Sequence, residues 1–162
     1  MIPDEARRHL EPLMTPGIPW QSITLHLEPL AQGISANIPH ATVARSVVAV
    51  TLKGLARTLK TVGMAIGNHV WIAPEFAKWD TASGLALLAH ELVHVLQDQE
   101  DPNFARKYDA EARKTPPDKP WLNHYELASY CQEAAVYKKL VAQGMKPGSW
   151  KPLAIEVGFA CP

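Results

Sequence analysis

The sequence predicts an α+β domain, mostly helical with a small sheet, and three observations carry that prediction. Residues 83–99 place Leu85, Leu88, Leu92, Val95 and Leu96 along one stripe of a helix. Ile23, Leu25 and Leu27 alternate with Ser22, Thr24 and His26, the period of two expected of a half-buried strand. Residues 64–66 and 69–72 are extended in character and flank Gly67-Asn68, so they form a hairpin or one kinked strand.

The elements follow in order. Pro3 or Asp4 opens a short helix over residues 3–14, with Leu10 and Leu13 on one side, and Thr15-Pro16-Gly17-Ile18-Pro19 breaks it. After the first strand, a loop through Gly33 and Pro39 leads to a helical stretch at about 41–61, which Gly63 ends. Residues 74–80 connect the extended region to the long helix, which Thr81 or Ser83 caps and which runs to about Gln99. Asp101-Pro102 supplies an N-cap and first-turn proline for a helix to about Lys114. The proline-rich stretch at 115–120 is a loop, and a last helix runs from near Asn123 to Gln143, stopped by Gly144. The tail at 144–162 shows no clear pattern, so the reading is a single domain over 1–162 with its core at about 3–143.

Composition narrows the function classes. The chain has 162 residues, 47% apolar and 20% charged, which is globular rather than disordered. Sixteen basic residues cancel sixteen acidic ones, so the net charge gives a nucleic-acid partner no support. No apolar run reaches the roughly 18 residues of a transmembrane segment. Met1-Ile2-Pro3-Asp4-Glu5 has no signal-peptide character, which leaves a cytoplasmic protein or one exported by a non-classical route. The zero hides an asymmetry: residues 29–74 hold Arg45, Lys53, Arg57 and Lys60 and no acid, a local +4. Of the fourteen prolines, only Pro74 lies between His40 and Asp101.

The chemistry lies in His90-Glu91-Leu92-Val93-His94, an H-E-x-x-H pattern on a helix. Residues four apart on a helix stand one above the other, so His90 and His94 can close on one metal ion, Zn2+ by choice of donors. Glu91 lies about 100° further round the helix, where its carboxylate reaches a water on the metal and acts as general base. On the helical wheel the two histidines share a side with Ser83, Leu87 and Gln97, opposite the apolar stripe, and so face a cleft or solvent. A catalytic zinc site takes three protein ligands, and the last helix offers Glu126, Tyr130, Glu133 and Tyr137 on one face. Glu126 is the preferred third ligand. Its competing role is a capping-box glutamate behind Asn123, and that of Glu133 is an exposed helix charge. Asp98 and Asp101 read as a helix-end charge and an N-cap.

H-E-L-V-H-V-L-Q followed by Y-E-x-x-S-Y in a second helix resembles the gluzincins, zinc peptidases with two histidines and a glutamate on the metal. More narrowly, the chain is similar to small bacterial metallopeptidase domains associated with contractile injection systems and polymorphic toxins. The similarity runs over about residues 3–140, through Ile23-Thr24-Leu25-His26, Ile66-Gly67-Asn68-His69-Val70-Trp71-Ile72 and the helix at 84–97. The resemblance implies a zincin-like fold with the sheet beside the motif helix. It implies His90, His94 and Glu126 as zinc ligands, Glu91 as catalytic base, a peptide or protein substrate, and association with a secretion or toxin system. Many gluzincins carry an acidic residue four positions after the ligand glutamate, where it orients a zinc histidine. This chain has Tyr130 there, so orientation comes from elsewhere or from Tyr130 itself.

Smaller expectations complete the reading. Tyr130, His124, Tyr125 and Tyr137 all compete as donors to an oxyanion. By the same resemblance, the segment at 64–73 pairs with extended substrate, or is an ordinary strand with Trp71 in the core; His69 is a strand-face residue. Cys131 and Cys161 are read as free thiols, with a disulfide as the alternative. Two other functions stay open: a non-catalytic zinc-stabilised interaction module, and a membrane- or partner-binding protein using the basic 41–61 stretch.

Overall fold

The computed structural model describes residues 1–27, 62–116 and 118–162. The loop through Gly33 and Pro39, the helical stretch at 41–61 and its basic residues Arg45, Lys53, Arg57 and Lys60 lie outside the described residues. The architecture is α+β. Helix α1 (Asp4–Leu10) leads to strand β1 (Thr24–His26), and β2 (Gly63–Ile66) and β3 (His69–Ile72) follow. Helices α2 (Ala82–Glu100), α3 (Phe104–Ala112), α4 (His124–Ala142) and α5 (Leu153–Val157) complete the order.

Gly67 takes φ of 58°, the left-handed conformation glycine adopts without cost, and turns the chain between β2 and β3. The result is an antiparallel hairpin, with Met64 opposite Trp71 and Ile66 opposite His69. Gly63 therefore opens a strand rather than simply ending a helix. β1 adds in parallel to the other edge of β3, pairing Leu25 with Val70, so the order is β1-β3-β2. The alternation predicted for 23–27 stops early: Ile23 is buried but Leu27 is exposed.

Helix α2 is the centre of the molecule. Thr81 caps it by accepting a hydrogen bond from the Gly84 N–H at 3.2 Å. Two further first-turn donors, the N–H groups of Ala82 and Ser83, reach the carbonyls of Lys146 and Pro147 in the tail. The helix touches α1, β2, β3, α3 and α4, and Leu85, Leu88, Leu92 and Val95 are fully enclosed. Its histidine side differs from the expectation of a cleft or solvent face. Ser83, Leu87, His90 and His94 are buried too, because α4 packs along that side. A helix covered all round belongs in an interior, whatever its polar stripe suggests.

The tail is part of this body. Ala154 is buried, and Met145, Trp150 and Ile155 pack against the core. Cys131 and Cys161 form a disulfide with Cα atoms 5.5 Å apart, which corrects the expectation of two free thiols. The tail returns to α4, where Phe159 stacks on Trp121 just ahead of that helix and sets its ring edge-on to Tyr130 within it, and a thirty-residue separation in sequence does not reveal that path. Among the described residues no helix is long and apolar enough to cross a membrane.

Candidate metal centre

One turn of α2 separates His90 and His94, and their ring centroids stand 5.1 Å apart. Opposite them, the first turn of α4 delivers Glu126. Asn123 is the N-cap of that helix, its side chain accepting from the Tyr125 N–H at 3.0 Å. The Asn123 N–H bonds to Pro120 instead, so no capping box forms and the Glu126 carboxylate is free to turn inward. Its Oε2 lies 3.2 Å from His90 Nε2 and its Oε1 lies 3.4 Å from His94 Nε2. One ligand atom from each of the three residues falls within 4.8 Å of the others, a cluster that can hold a metal ion.

The far sides of the imidazoles are also held. His90 Nδ1 meets Glu133 Oε2 at 3.1 Å, with both residues buried. His94 Nδ1 meets Gln97 Oε1 at 2.8 Å, with the Ser129 hydroxyl 3.4 Å away. Gln97 is fixed in turn by donating to the Tyr125 carbonyl at 3.1 Å. Both Nδ1 atoms therefore face acceptors, and both Nε2 atoms turn toward Glu126. The Tyr108 hydroxyl, from α3, donates to Glu126 Oε1.

These contacts set the charges. Burial pushes the His90 imidazole down, but Glu126 and Glu133 outweigh it and hold the group well above its usual value. Burial likewise pushes Glu126 up, and the two imidazoles overcome it, so that carboxylate stays ionised well below the usual range. Tyr108 and Tyr130 are both pushed up by burial, with nearby carboxylates adding to it, and remain protonated. Glu91 behaves differently. It is buried, none of the described residues places a cation in direct contact with it, and burial lifts its carboxyl to about 7. Among the described residues its Oε2 has no hydrogen-bond partner.

The predicted residues separate by position. His90, His94 and Glu126 gather, and Glu91 lies on the same helix with its carboxylate enclosed. Glu133 is not an exposed helix charge: it is buried and orients His90 from two turns beyond Glu126, one turn after the place where Tyr130 stands. Tyr130 itself sets its ring edge-on to His90 at 4.7 Å. The other donor candidates are elsewhere. His124 is exposed and paired with Glu111, Tyr137 belongs to the core, and Tyr125 packs on Phe104. His69 faces His26 across the sheet, Nδ1 to Nε2 at 2.9 Å, and both stack with Trp71. Asp98 is buried within α2. Asp101 ends α2, accepts from the Asn103 N–H and pairs with Lys107; the cap of α3 is Asn103. Sequence reasoning missed Tyr108, Gln97 and Ser129. Gln97 had a signal, three residues after His94 on the same wheel side; Tyr108 had none.

Residues 28–102 match the eCIS core domain family. That family is linked to contractile injection systems. The eCIS core match takes in β2, β3 and α2, hence His90, Glu91 and His94, and ends before α3; Tyr108, Glu126 and Glu133 lie beyond it. No curated protein and no solved structure matches the chain.

Proposed function

We propose that the protein is a zinc-dependent peptidase acting in the setting of a contractile injection system. The donor set supports zinc. His90, His94 and Glu126 would hold the ion: two imidazoles and one carboxylate, with ligand atoms within 4.8 Å of one another, are the donor set of a three-ligand catalytic zinc site. Such a site needs neutral imidazoles and an ionised Glu126; the carboxylate is already held ionised, and zinc binding would displace the proton that His90 retains in its absence.

The observation that carries the catalytic reading is Glu91: a buried carboxylate near the three donors, on the helix of the two histidines, with Oε2 unpartnered among the described residues. When bound, zinc polarises a carbonyl and acidifies a water at neutral pH. At its carboxylate Glu91 would take a proton from the attacking water as the water oxygen adds to the amide carbon, and would pass it to the leaving amine as the C–N bond breaks. Tyr130 keeps its proton and supplies a donor beside His90 for the oxyanion. Glu133 and Gln97 hold the imidazoles in one tautomer and orientation.

Hydrolysis of a peptide library tests the reading. The wild type with zinc cleaves, and Glu91→Gln binds the metal but does not. A non-catalytic zinc-stabilised module predicts metal in both and cleavage in neither. The match to the eCIS core domain supports the setting alone, since it names an apparatus rather than a reaction.

A further inference from the structure

Gly63, the first residue of β2, is buried and sits opposite Ile72 in the hairpin. A Cβ added there would lie 2.5 Å from Glu91 Oε1, 3.0 Å from its Cδ and 3.1 Å from its Cγ. Ordinary contact between such atoms is about 3.5–4.0 Å. The Glu91 side chain thus rests directly against the glycine backbone. Nothing in the local conformation asks for glycine, because Gly63 is not among the residues with positive φ. Glycine also weakens a strand, having no side chain to pack. The strand accepts that weakness at a position that adjoins Glu91.

We infer that Gly63 is a positioning residue for Glu91: the missing side chain is the seat that holds the carboxylate beside His90, His94 and Glu126. This rests on the reading of Glu91 as the general base. Rotation about the Cγ–Cδ bond moves the oxygens but leaves Cγ and Cδ in place, so a methyl group at 63 cannot be relieved at the tip alone. The torsions nearer the backbone must change, and the buried, hydrogen-bonded α2 cannot shift to compensate. The whole carboxylate leaves its seat while the imidazoles and Glu126, whose atoms are not among the three nearest the added carbon, keep theirs.

The test uses the zinc-loaded full chain carrying Gly63→Ala, Glu91→Ala, or both, with Gly63→Ala also combined with Glu91→Asp. Gly63→Ala keeps about one zinc per chain, loses at least about 100-fold in kcat with KM changed less than about threefold, and melts lower than wild type. In the Glu91→Ala background the same substitution costs no melting temperature, because the clash has been removed. Added to Glu91→Asp, one methylene shorter, it causes no further loss of activity. An equal melting penalty with and without the Glu91 side chain overturns the inference, and so does wild-type kcat in Gly63→Ala. If Gly63→Ala fails to fold, the double variant with Glu91→Ala decides: recovered folding supports the seat and failure overturns it. Melting is read independently of hydrolysis. A stability coupling in a protein that cleaves nothing keeps the seat and removes the peptidase reading.

Discussion

Glu133 distinguishes a carboxylate that binds the metal from one that orients a ligand. Its Oε2 lies 3.1 Å from His90 Nδ1, and neither group is exposed to water that could replace the contact. Substituting Glu133→Leu keeps a side chain of similar reach in the interior and removes the acceptor, leaving the imidazole free to turn and to change tautomer. Loss of an outer-shell partner of this kind weakens metal affinity about 10–100-fold, or about 1.4–2.7 kcal/mol. Glu133→Gln retains an acceptor oxygen and loses only the charge, so it falls between Glu133→Leu and wild type. Glu126→Ala removes a ligand and weakens affinity by more than either. Competition for zinc against a chromophoric chelator at neutral pH measures all four proteins on one scale, with circular dichroism of the zinc-free forms as the control for folding. If Glu133→Leu releases zinc as completely as Glu126→Ala, Glu133 is itself a ligand. If it changes nothing, the contact does not orient His90, and either result refutes the reasoning.

Two further predictions concern stability. In the zinc-free protein, Glu91 is raised from 4.5 to about 7, so its contribution is present at low pH and is lost as pH rises through that interval. At about 1.4 kcal/mol per unit the loss is roughly 3 kcal/mol. His90, also raised, loses its contribution as pH rises above its unfolded value, so the two act in the same direction. Thermal melting of zinc-free protein therefore falls as pH rises from about 4.5 to 7, whereas saturating zinc reverses the slope, because its ligands must be deprotonated. A zinc-free protein that grows more stable over that interval contradicts the assignment. Reducing Cys131–Cys161 opens a loop of thirty residues and lowers stability by about 3.5 kcal/mol, read as a lower urea midpoint with dithiothreitol present. An unchanged midpoint means the bond does not form.

What could be read from the sequence was local. The H-E-x-x-H spacing fixes His90 and His94 on one side of one helix, and Asn123 announces the start of α4 by its own side chain. Gly67-Asn68 marked a break in the extended stretch and left a hairpin or one kinked strand open; the hairpin is what forms. The division of labour between Glu126 and Glu133 was not local. Both lie on one face of α4, and which of them meets Nε2 and which Nδ1 depends on how α4 packs along α2. The wheel of α2 showed a polar side but not the helix that covers it, and so His90 and His94 read as facing open space. Tyr108 reaches Glu126 from a helix that carries no zinc motif, and Gly63 touches Glu91 across twenty-eight residues of sequence. The tail looked featureless because its role is to lend two carbonyls to the start of α2 and a cysteine to α4.

The most direct test of the central claim is a single preparation of wild type and Glu91→Gln, measured for zinc content and then for cleavage of a peptide library. About one zinc per chain in both proteins, with new peptide termini appearing only in the wild type, is the predicted result. A well-folded wild type that holds no zinc, or equal cleavage by both proteins, contradicts it.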